Sequence, residues 1–497
     1  MALTSAPISH SRSSSWRAVA LWILLAVGVV GYGVRCVRHG RWEPPKPGAT
    51  AKEERHRDRG TDFTAYYSAG ELARKGENIY DWRASSTPRR PFIYPPLFAV
   101  FPMAPLSLLP HNAALGVYYA INVALLLGLL WLLRKLLWPA EIEAKSFWRQ
   151  PAVGLLLAVL ICGRFLDSNF VLGQANLYVA FLATLGLYLM AHGKTAGSGW
   201  AIALATTFKV TPGLFGLYFL WARRGWAMLG GALGLAVFLL VLPGFWLGFE
   251  RNLELLDAYL GHVTKRAAAT EHAESESNGG EGDDEDAIEI GWGGNIEAAR
   301  AGPKRGVGIA LRGTLLKLLT EPPPPPASHA RKDKERPAVN IAALDPAWVV
   351  KLAAVLALLV LGAVVALTAP KWARAGPEML ALSWGLVAAA MLLISPLTRK
   401  AHAVVLLIPA VALIALLQRG LLQGAARKAA WAALVFLGSA GLLSSPEIAG
   451  DTWSEVLHSA GLFTWATLGL FAAVAWALWS RRAAAIEAGQ SGARTVE

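Results

Sequence analysis

Gly-Thr-Asp-Phe-Thr-Ala-Tyr-Tyr, residues 60–67, opens the stretch Gly60–Pro96 around which the rest of the chain is arranged. The pattern predicts a short helix that has Thr61 or Asp62 at its N-cap and Gly76 after a basic last turn. Because a helix this short is marginal in water, we expect its aromatic face to lie on a membrane surface or on neighbouring helices. The stretch therefore holds one carboxylate, Asp62, between hydrophobic segments.

The composition indicates a membrane protein. Of the 497 residues, 55% are hydrophobic and only 16% are charged. A soluble protein carries about 25% charged residues. The apolar residues form long uninterrupted blocks rather than amphipathic stripes, which is typical of helices surrounded by lipid and by one another. The predicted fold class is an all-α polytopic membrane protein.

Charge and cysteine content exclude several functions. The net charge is +13, but the basic residues form short clusters between the apolar runs. That distribution follows the positive-inside rule and argues against nucleic acid as a partner. Cys36 and Cys162 are the two cysteines of the sequence, which excludes a disulfide framework and a cysteine metal site.

The apolar blocks predict about 12 transmembrane helices in one domain, residues 1–497, with both termini in the cytoplasm. The loops 35–91 and 249–346 are then extracytoplasmic, and the second contains insertions at 270–300 and 321–338 whose composition predicts disorder. An amphipathic helix within 306–319 is expected to lie on the interface. The predicted spans are 16–34, 92–110 (kinked or re-entrant), 115–137, 151–166, 177–191, 200–223 (broken), 226–246, 347–367, 379–394, 403–417, 431–443 and 462–479.

The break in the span 200–223 is at Lys209-Val210-Thr211-Pro212. A lysine at the membrane centre costs roughly 2.5 to 3.5 kcal/mol on insertion scales. The sequence therefore predicts two short helices that meet near the outer leaflet, where Lys209 reaches water.

The sequence contains no Walker loop, dinucleotide glycine motif, CxxC pair or HExxH. The predicted topology instead brings polar side chains to one membrane face. A carboxylate beside several cations suits group transfer from a lipid-phosphate donor, because the carboxylate takes a proton from an acceptor hydroxyl and the cations hold the departing phosphate. These residues are Asp62, Tyr94, Gln174, Asn176, Lys209, Arg312, Arg399, Lys400 and His402.

Each of these residues also has a structural interpretation. Asp62 suits an N-cap, and Lys209 suits snorkelling to the interface. Gln174 and Asn176 fit an ordinary polar turn. A lone histidine such as His402 is commonly structural. Arg312 lies on the polar side of the amphipathic helix, and Arg399 and Lys400 suit contacts with lipid headgroups.

Taken together, the motifs resemble glycosyltransferase family 87, a bacterial family of polyprenyl-phosphate-mannose-dependent mannosyltransferases in the GT-C superfamily. The resemblance extends over residues 60–420, and its most specific parts are Gly173-Gln174-Ala175-Asn176 and Tyr94-Pro95-Pro96. Further parts are Asp62 with Tyr66 and Tyr67, Gly76 to Tyr80, Pro105-Leu106, Lys209-Val210-Thr211-Pro212, and Ser395-Pro396 with His402.

The resemblance implies a GT-C-like bundle in the bacterial inner membrane, an inverting mechanism and Asp62 as the catalytic aspartate. It implies a donor-phosphate site at Lys209 and His402, to which we add Arg312, Gln174, Asn176, Tyr94 and Arg399 as candidates. The implied partners are membrane lipids, a polyprenyl-phosphate sugar donor and a lipid or glycan acceptor, and we expect no metal or cofactor. The chain departs from the family pattern at 308–313 and at 398–402, both expected near the substrates.

Two other functions remain open from the sequence. A transporter or flippase of lipid-linked sugars would use Lys209 in its broken helix as the substrate site. A non-catalytic scaffold of envelope assembly would depend on the acidic and polyproline insertions, so deletion of residues 270–335 would abolish its function and leave a transferase largely active.

Overall fold

The computed structural model describes residues 13–41, 61–87, 91–138, 146–272, 309–321, 339–369, 376–395 and 398–494. Most of the two predicted insertions, the dipeptide Pro396-Leu397, and Gly60 and Gly308 lie outside these residues. Within them the chain forms helices and no β-strand. The predicted all-α fold class is therefore confirmed for the described part of the chain.

The longer helices follow one another with short connections. In chain order they are α1 (Ser13–Gly40), α2 (Asp62–Lys75), α3 (Pro96–Leu106), α4 (His111–Leu137), α5 (Pro151–Ile161), α6 (Gly163–Val171), α7 (Asn176–Ala191), α8 (Thr195–Phe208), α9 (Gly213–Trp221), α10 (Gly225–Leu247), α11 (Phe249–His272), α12 (Leu311–Leu319), α13 (Pro346–Leu367), α14 (Gly376–Ile394), α15 (Lys400–Gln418), α16 (Gly424–Leu443), α17 (Pro446–Ser459) and α18 (Leu462–Arg494).

Seven helices of the described part are long and apolar enough to cross a membrane: α4, α10, α13, α14, α15, α16 and α18 through Arg482. The number is eight if α5 and α6, which are bent by 63° about Cys162, form one span. The structure is thus that of a multi-pass membrane protein.

Several of the predicted dozen spans fold as shorter helices. The predicted spans 177–191 and 200–208 become α7, with 16 residues, and α8, with 14 residues. A helix needs about 20 apolar residues to cross a bilayer. The loop predicted to begin at residue 249 also starts with a 24-residue helix, α11.

Two glycines fix α8 tightly against α10. A Cβ atom added to Gly199 would lie 2.0 Å from the carbonyl oxygen of Ala227, and one added to Gly230 would lie 2.2 Å from that of Ala196. Small residues allow such close backbone approach between membrane helices. The packing holds the C-terminal end of α8, where Lys209 follows.

The predicted amphipathic helix forms as α12. Its residues Leu315 and Leu316 are buried against Val349 and Ala353 of α13. Just before α12, the backbone N–H of Ile309 donates to the carbonyl oxygen of Thr398 at 2.8 Å. This bond ties α12 to the segment that leads into α15.

Candidate active site

Asp62 is the first residue of α2. Thr61 occupies the N-cap position, with extended backbone angles of φ −82° and ψ 160°. The capping interpretation of Asp62 is therefore wrong, whereas the predicted Gly76 at the helix C-terminus is confirmed by its φ of 72°. The backbone N–H of Asp62 donates to the carbonyl oxygen of Leu172 at 2.9 Å, so the start of α2 lies against the loop between α6 and α7.

That loop places two carboxamides beside the aspartate. Gly173 has a φ of +60°, and a Cβ atom there would lie 2.8 Å from the Cβ of Phe63. Only glycine meets both the left-handed conformation and the close approach. Gln174 and Asn176 are both buried, and the Nδ2 of Asn176 donates to the Oε1 of Gln174 at 2.7 Å.

Lys209 completes a continuous hydrogen-bonded series. Its Nζ donates to the Oδ1 of Asn176, and the Nε2 of Gln174 donates to the Oδ2 of Asp62. We call these four side chains the relay. Because a carboxylate only accepts hydrogen bonds and an ammonium only donates them, both carboxamides must turn their oxygens toward Lys209 and their nitrogens toward Asp62.

The predicted break at Lys209 is confirmed. The helix α8 ends at Phe208, Lys209 is extended with φ −153° and ψ 137°, and α9 begins at Gly213. Lys209 therefore lies outside the seven spans. Burial lowers the pKa of its ammonium to about 7, the charge of Asp62 opposes this shift, and the charge of Arg399 adds to it.

His402, in the first turn of α15, and Arg399, its N-cap residue, reach the lysine end of the relay. His402 lines one pocket together with Asn176, Lys209 and Thr398. The backbone N–H of Arg399 donates to the Nδ1 of His402 at 3.4 Å, so the neutral ring carries its proton on Nε2. Lys209, Arg399 and His402 are close enough to interact electrostatically.

Tyr94 lies at the aspartate end. Its hydroxyl group is 3.1 Å from that of Tyr66, and its carbonyl oxygen accepts a hydrogen bond from the hydroxyl of Tyr80 at 3.0 Å. Burial raises the pKa of Tyr94, and the negative charge of Asp62 raises it further. The phenol therefore stays neutral beside the carboxylate.

Arg312 is not part of this arrangement. Its helix is anchored to Thr398 through Ile309, but no hydrogen bond or ion pair within the described ranges joins the Arg312 side chain to another predicted site residue. The structure therefore brings together Asp62, Tyr94, Gln174, Asn176, Lys209, Arg399 and His402, and it leaves out Arg312.

The sequence reasoning missed two contributors. Thr398 lines the pocket, and its position next to Arg399 is the one signal that points to it. Tyr66, quoted for its place in the family pattern, contacts Tyr94 directly. Among the residues that the structure describes, no group of three or more His, Cys, Asp or Glu side chains is arranged to hold a metal ion.

Fold and site together define a class: a helical, multi-pass membrane protein that gathers a carboxylate, two buried carboxamides and several cations in one place. Comparison with known proteins shows a family to which part of the chain is similar. Residues 92–281 match Glycosyltransferase family 87, which confirms the resemblance for that part of the chain. The match includes Tyr94, Gln174, Asn176 and Lys209, whereas Asp62 lies outside it.

Two curated relatives are similar to part of the chain. One is a polyprenol-phosphate-mannose-dependent alpha-(1-2)-phosphatidylinositol pentamannoside mannosyltransferase of Mycolicibacterium smegmatis, 34% identical over 173 residues, which are 34% of this chain and 38% of the relative. The other is a polyprenol-phosphate-mannose-dependent alpha-(1-2)-phosphatidylinositol mannoside mannosyltransferase of Mycobacterium tuberculosis. It is 30% identical over 187 residues, which are 36% of this chain and 42% of the relative. The chain thus spans about two fifths of the length of these relatives.

Proposed function

We propose that the protein is a membrane glycosyltransferase that moves a hexose, mannose in the first instance, from a polyprenyl-phosphate donor to a lipid or glycan acceptor. The relay carries this proposal, because it holds a carboxylate and a cationic pocket at a fixed separation. Both relatives are described as polyprenol-phosphate-mannose-dependent and as acting on phosphatidylinositol mannosides, which supports this donor and a glycophospholipid acceptor.

In the proposed reaction, Asp62 takes the proton of the acceptor hydroxyl while that oxygen attacks the anomeric carbon. The bond from the anomeric carbon to the phosphate oxygen breaks on the opposite side of the sugar, so the configuration is inverted. The leaving polyprenyl phosphate keeps the electron pair and gains one negative charge. Lys209 and Arg399 stabilise that charge, and the Nε2–H of His402 donates to a phosphate oxygen.

The two carboxamides have a positioning role in this scheme. Gln174 orients the carboxylate of Asp62, and Asn176 orients the ammonium of Lys209. Since one carboxamide bonds directly to the other, a displacement at either end is transmitted to the other end. Tyr94 supplies a neutral phenol at the aspartate end, suited to a sugar hydroxyl.

The proposal includes the predicted arrangement in the membrane. The GT-C-like bundle, about 12 crossings, the bacterial inner membrane, cytoplasmic termini and an extracytoplasmic site all belong to it. The loops 35–91 and 249–346 would then lie outside the cell. The insertions 270–300 and 321–338 would take no part in catalysis. Arg312 is retained only as a candidate for contact with substrate.

The test is transfer of mannose from polyprenyl-phosphate mannose by the purified, reconstituted protein. Asp62→Asn retains the shape of the side chain and an acceptor for Gln174 but removes the base, so we expect turnover to fall about 10² to 10⁴-fold. Asp81→Asn, an exposed carboxylate that follows α2, is the matched control and should be unaffected. Undiminished turnover in Asp62→Asn would exclude Asp62 as the base.

A transporter or flippase of lipid-linked sugars is the second candidate. The observation that favours it is the interruption between α8 and α9 with a half-buried cation at the break, an arrangement found in substrate sites of transporters. Counterflow of a lipid-linked sugar across proteoliposomes without any glycosidic product would support this candidate over the transferase.

A further inference from the structure

A second group of cations lies beside the candidate active site, on another side of the first turn of α15. Arg399 interacts with Lys209, whereas the next residue, Lys400, lies within electrostatic reach of Arg164 on α6. Lys317 of α12 and His458 of α17 belong to the same group. None of these four residues is used in the proposed reaction.

Packing contacts bring these elements together. The ring centroids of Phe165, next to Arg164, and Phe463 are 5.2 Å apart, and those of Phe463 and His458 are 5.5 Å apart. The hydroxyl groups of Thr314 on α12 and Thr464 on α18 are 2.6 Å apart and buried. The start of α6, the start of α18 and the end of α17 therefore lie close to α12, whose last turn carries Lys317.

The positive charges of this site are incompletely neutralised. Arg164 pairs with Asp167, Nη1 to Oδ2, at 3.2 Å, but its buried Nε has no hydrogen-bond partner among the described residues. Within that part of the chain, the side chains of Lys317 and Lys400 form no hydrogen bond or ion pair, although both residues are half-buried. Removing an unpaired cation from water is costly, and a bound anion offsets that cost.

The pKa values of this site also reflect an excess of positive over negative charge. Burial lowers the pKa of the Lys317 ammonium to about 8. Burial, followed by the charges of Lys400, Arg164 and Lys317, lowers the pKa of His458 to about 3, so its ring is neutral at physiological pH. Its buried Nδ1 also has no hydrogen-bond partner among the described residues. Besides Asp167, Glu447 is the carboxylate within reach of Lys400, and it is exposed.

The neighbouring surface suits a lipid rather than a free anion. On α17, Trp453 is 66% exposed and Ile448 is 60% exposed, and on α16 Leu443 is 47% exposed. These side chains lie close along the chain to Glu447 and His458. A ligand that combined a phosphate group with acyl chains would satisfy the cations and cover these apolar side chains at once.

We propose that Arg164, Lys317, Lys400 and His458 bind the phosphodiester of an anionic phospholipid, separately from the phosphate that leaves at Lys209 and Arg399. This inference rests on the proposed function, in which the phospholipid is the acceptor. Its phosphodiester binds at the second site while its sugar hydroxyl extends to Asp62. The enzyme would thus hold two lipid phosphates on two sides of one helical turn.

The test measures lipid binding independently of turnover. Native mass spectrometry counts phosphatidylinositol bound to the purified full chain, and a titration in phosphatidylcholine nanodiscs gives its apparent Kd. The double variant Lys317→Gln and Lys400→Gln should bind phosphatidylinositol at least about tenfold more weakly, because each lysine donates a charge-assisted hydrogen bond. The measurement needs neither donor nor turnover, so a failure of the transferase proposal leaves this result unaffected.

Two controls separate a binding role from a structural one. Lys351→Gln removes an exposed cation that lies over the Trp348 ring on α13, and binding should be unchanged. The double variant Lys317→Arg and Lys400→Arg should restore binding. Undiminished binding in the glutamine variant, failure of the arginine variant to restore it, or equal affinity for inorganic phosphate would each overturn the proposal.

Discussion

Lys209 combines two features that oppose each other. It must be charged to hold a phosphate, yet its surroundings lower the pKa of its ammonium to about 7. The negative charge of Asp62 limits that shift, and the carboxamide of Asn176 accepts its hydrogen bond. The relay therefore keeps the cation near the midpoint of its titration until a phosphate arrives and favours the charged form.

A pH dependence follows at this residue. Since the ammonium is charged below its pKa and neutral above it, kcat/KM for the donor should fall about tenfold for each pH unit above roughly 7. The value of kcat should fall less steeply, because the bound phosphate raises the pKa of Lys209. Initial rates at limiting and saturating donor between pH 6 and pH 9, as rough limits, measure both.

Lys209→Arg supplies the comparison for this profile. A guanidinium stays protonated throughout the range, so the alkaline decline should disappear even if the activity is lower. Lys351→Arg, on the exposed part of α13, should retain the decline. If the alkaline decline of kcat/KM persisted unchanged in Lys209→Arg, the decline would have to be assigned to the titration of another group.

At the scale of elements, the site depends on how the loop between α6 and α7 meets α2. Gly173 lies where a side chain would collide with Phe63, and its positive φ turns the chain so that Gln174 faces Asp62. The loop is also bonded internally, with the N–H of Gln174 donating to the carbonyl oxygen of Asn169 at 2.9 Å. Backbone geometry, and not only the choice of side chains, therefore fixes the relay.

Gly173→Ala should consequently reduce both stability and activity. A left-handed residue other than glycine costs roughly 1 to 2 kcal/mol, and the contact with Phe63 adds to this cost and displaces Gln174. Gly193→Ala is the matched variant, because its φ is +75° but no atom lies within 4 Å of the added Cβ. We expect Gly193→Ala to lower the melting temperature without loss of turnover, whereas equal turnover in the two variants would contradict a positioning role for the loop.

At the scale of the whole molecule, the proposal requires that the relay faces the outside of the cell. Glu77 and Val210 are exposed beside α2 and beside Lys209, and Lys194 is exposed at the opposite end of α8. Cysteines introduced at positions 77 and 210 should react with a membrane-impermeant maleimide on intact cells, and one at position 194 should react only after permeabilisation. Cys36 and Cys162 are buried and provide the background. Protection of positions 77 and 210 in intact cells would exclude an extracytoplasmic site.

The sequence predicted the fold class and the break at Lys209, because long apolar blocks and a lysine followed by a proline have local physical consequences. Hydropathy alone did not reveal that 177–208 folds as the two short helices α7 and α8. The predicted span 151–166 ends before the helix does, because α6 continues to Val171 and Asp167 within it pairs with Arg164.

The sequence identified most of the candidate site through the family pattern, but not its geometry. Asp62 and Gln174 are 112 positions apart, and Asn176 and Lys209 are 33 apart, so only the folded chain brings their polar atoms into contact. The same limit explains Arg312, whose helix and polar face were predicted while its contacts with the other site residues depend on the fold. It also explains His458, which no pattern connected with Lys400.

The start of α15, with Arg399 as its N-cap residue, presents Arg399 and His402 to Lys209, and Lys400 to Arg164. If each of these two sites binds one substrate, the two binding equilibria are thermodynamically linked, because a shift of this short turn changes the geometry of both sites. Reciprocity then requires that donor changes the affinity for acceptor by the same factor as acceptor changes the affinity for donor. In such an enzyme, the binding of one substrate would change how tightly the other substrate binds before the transfer begins.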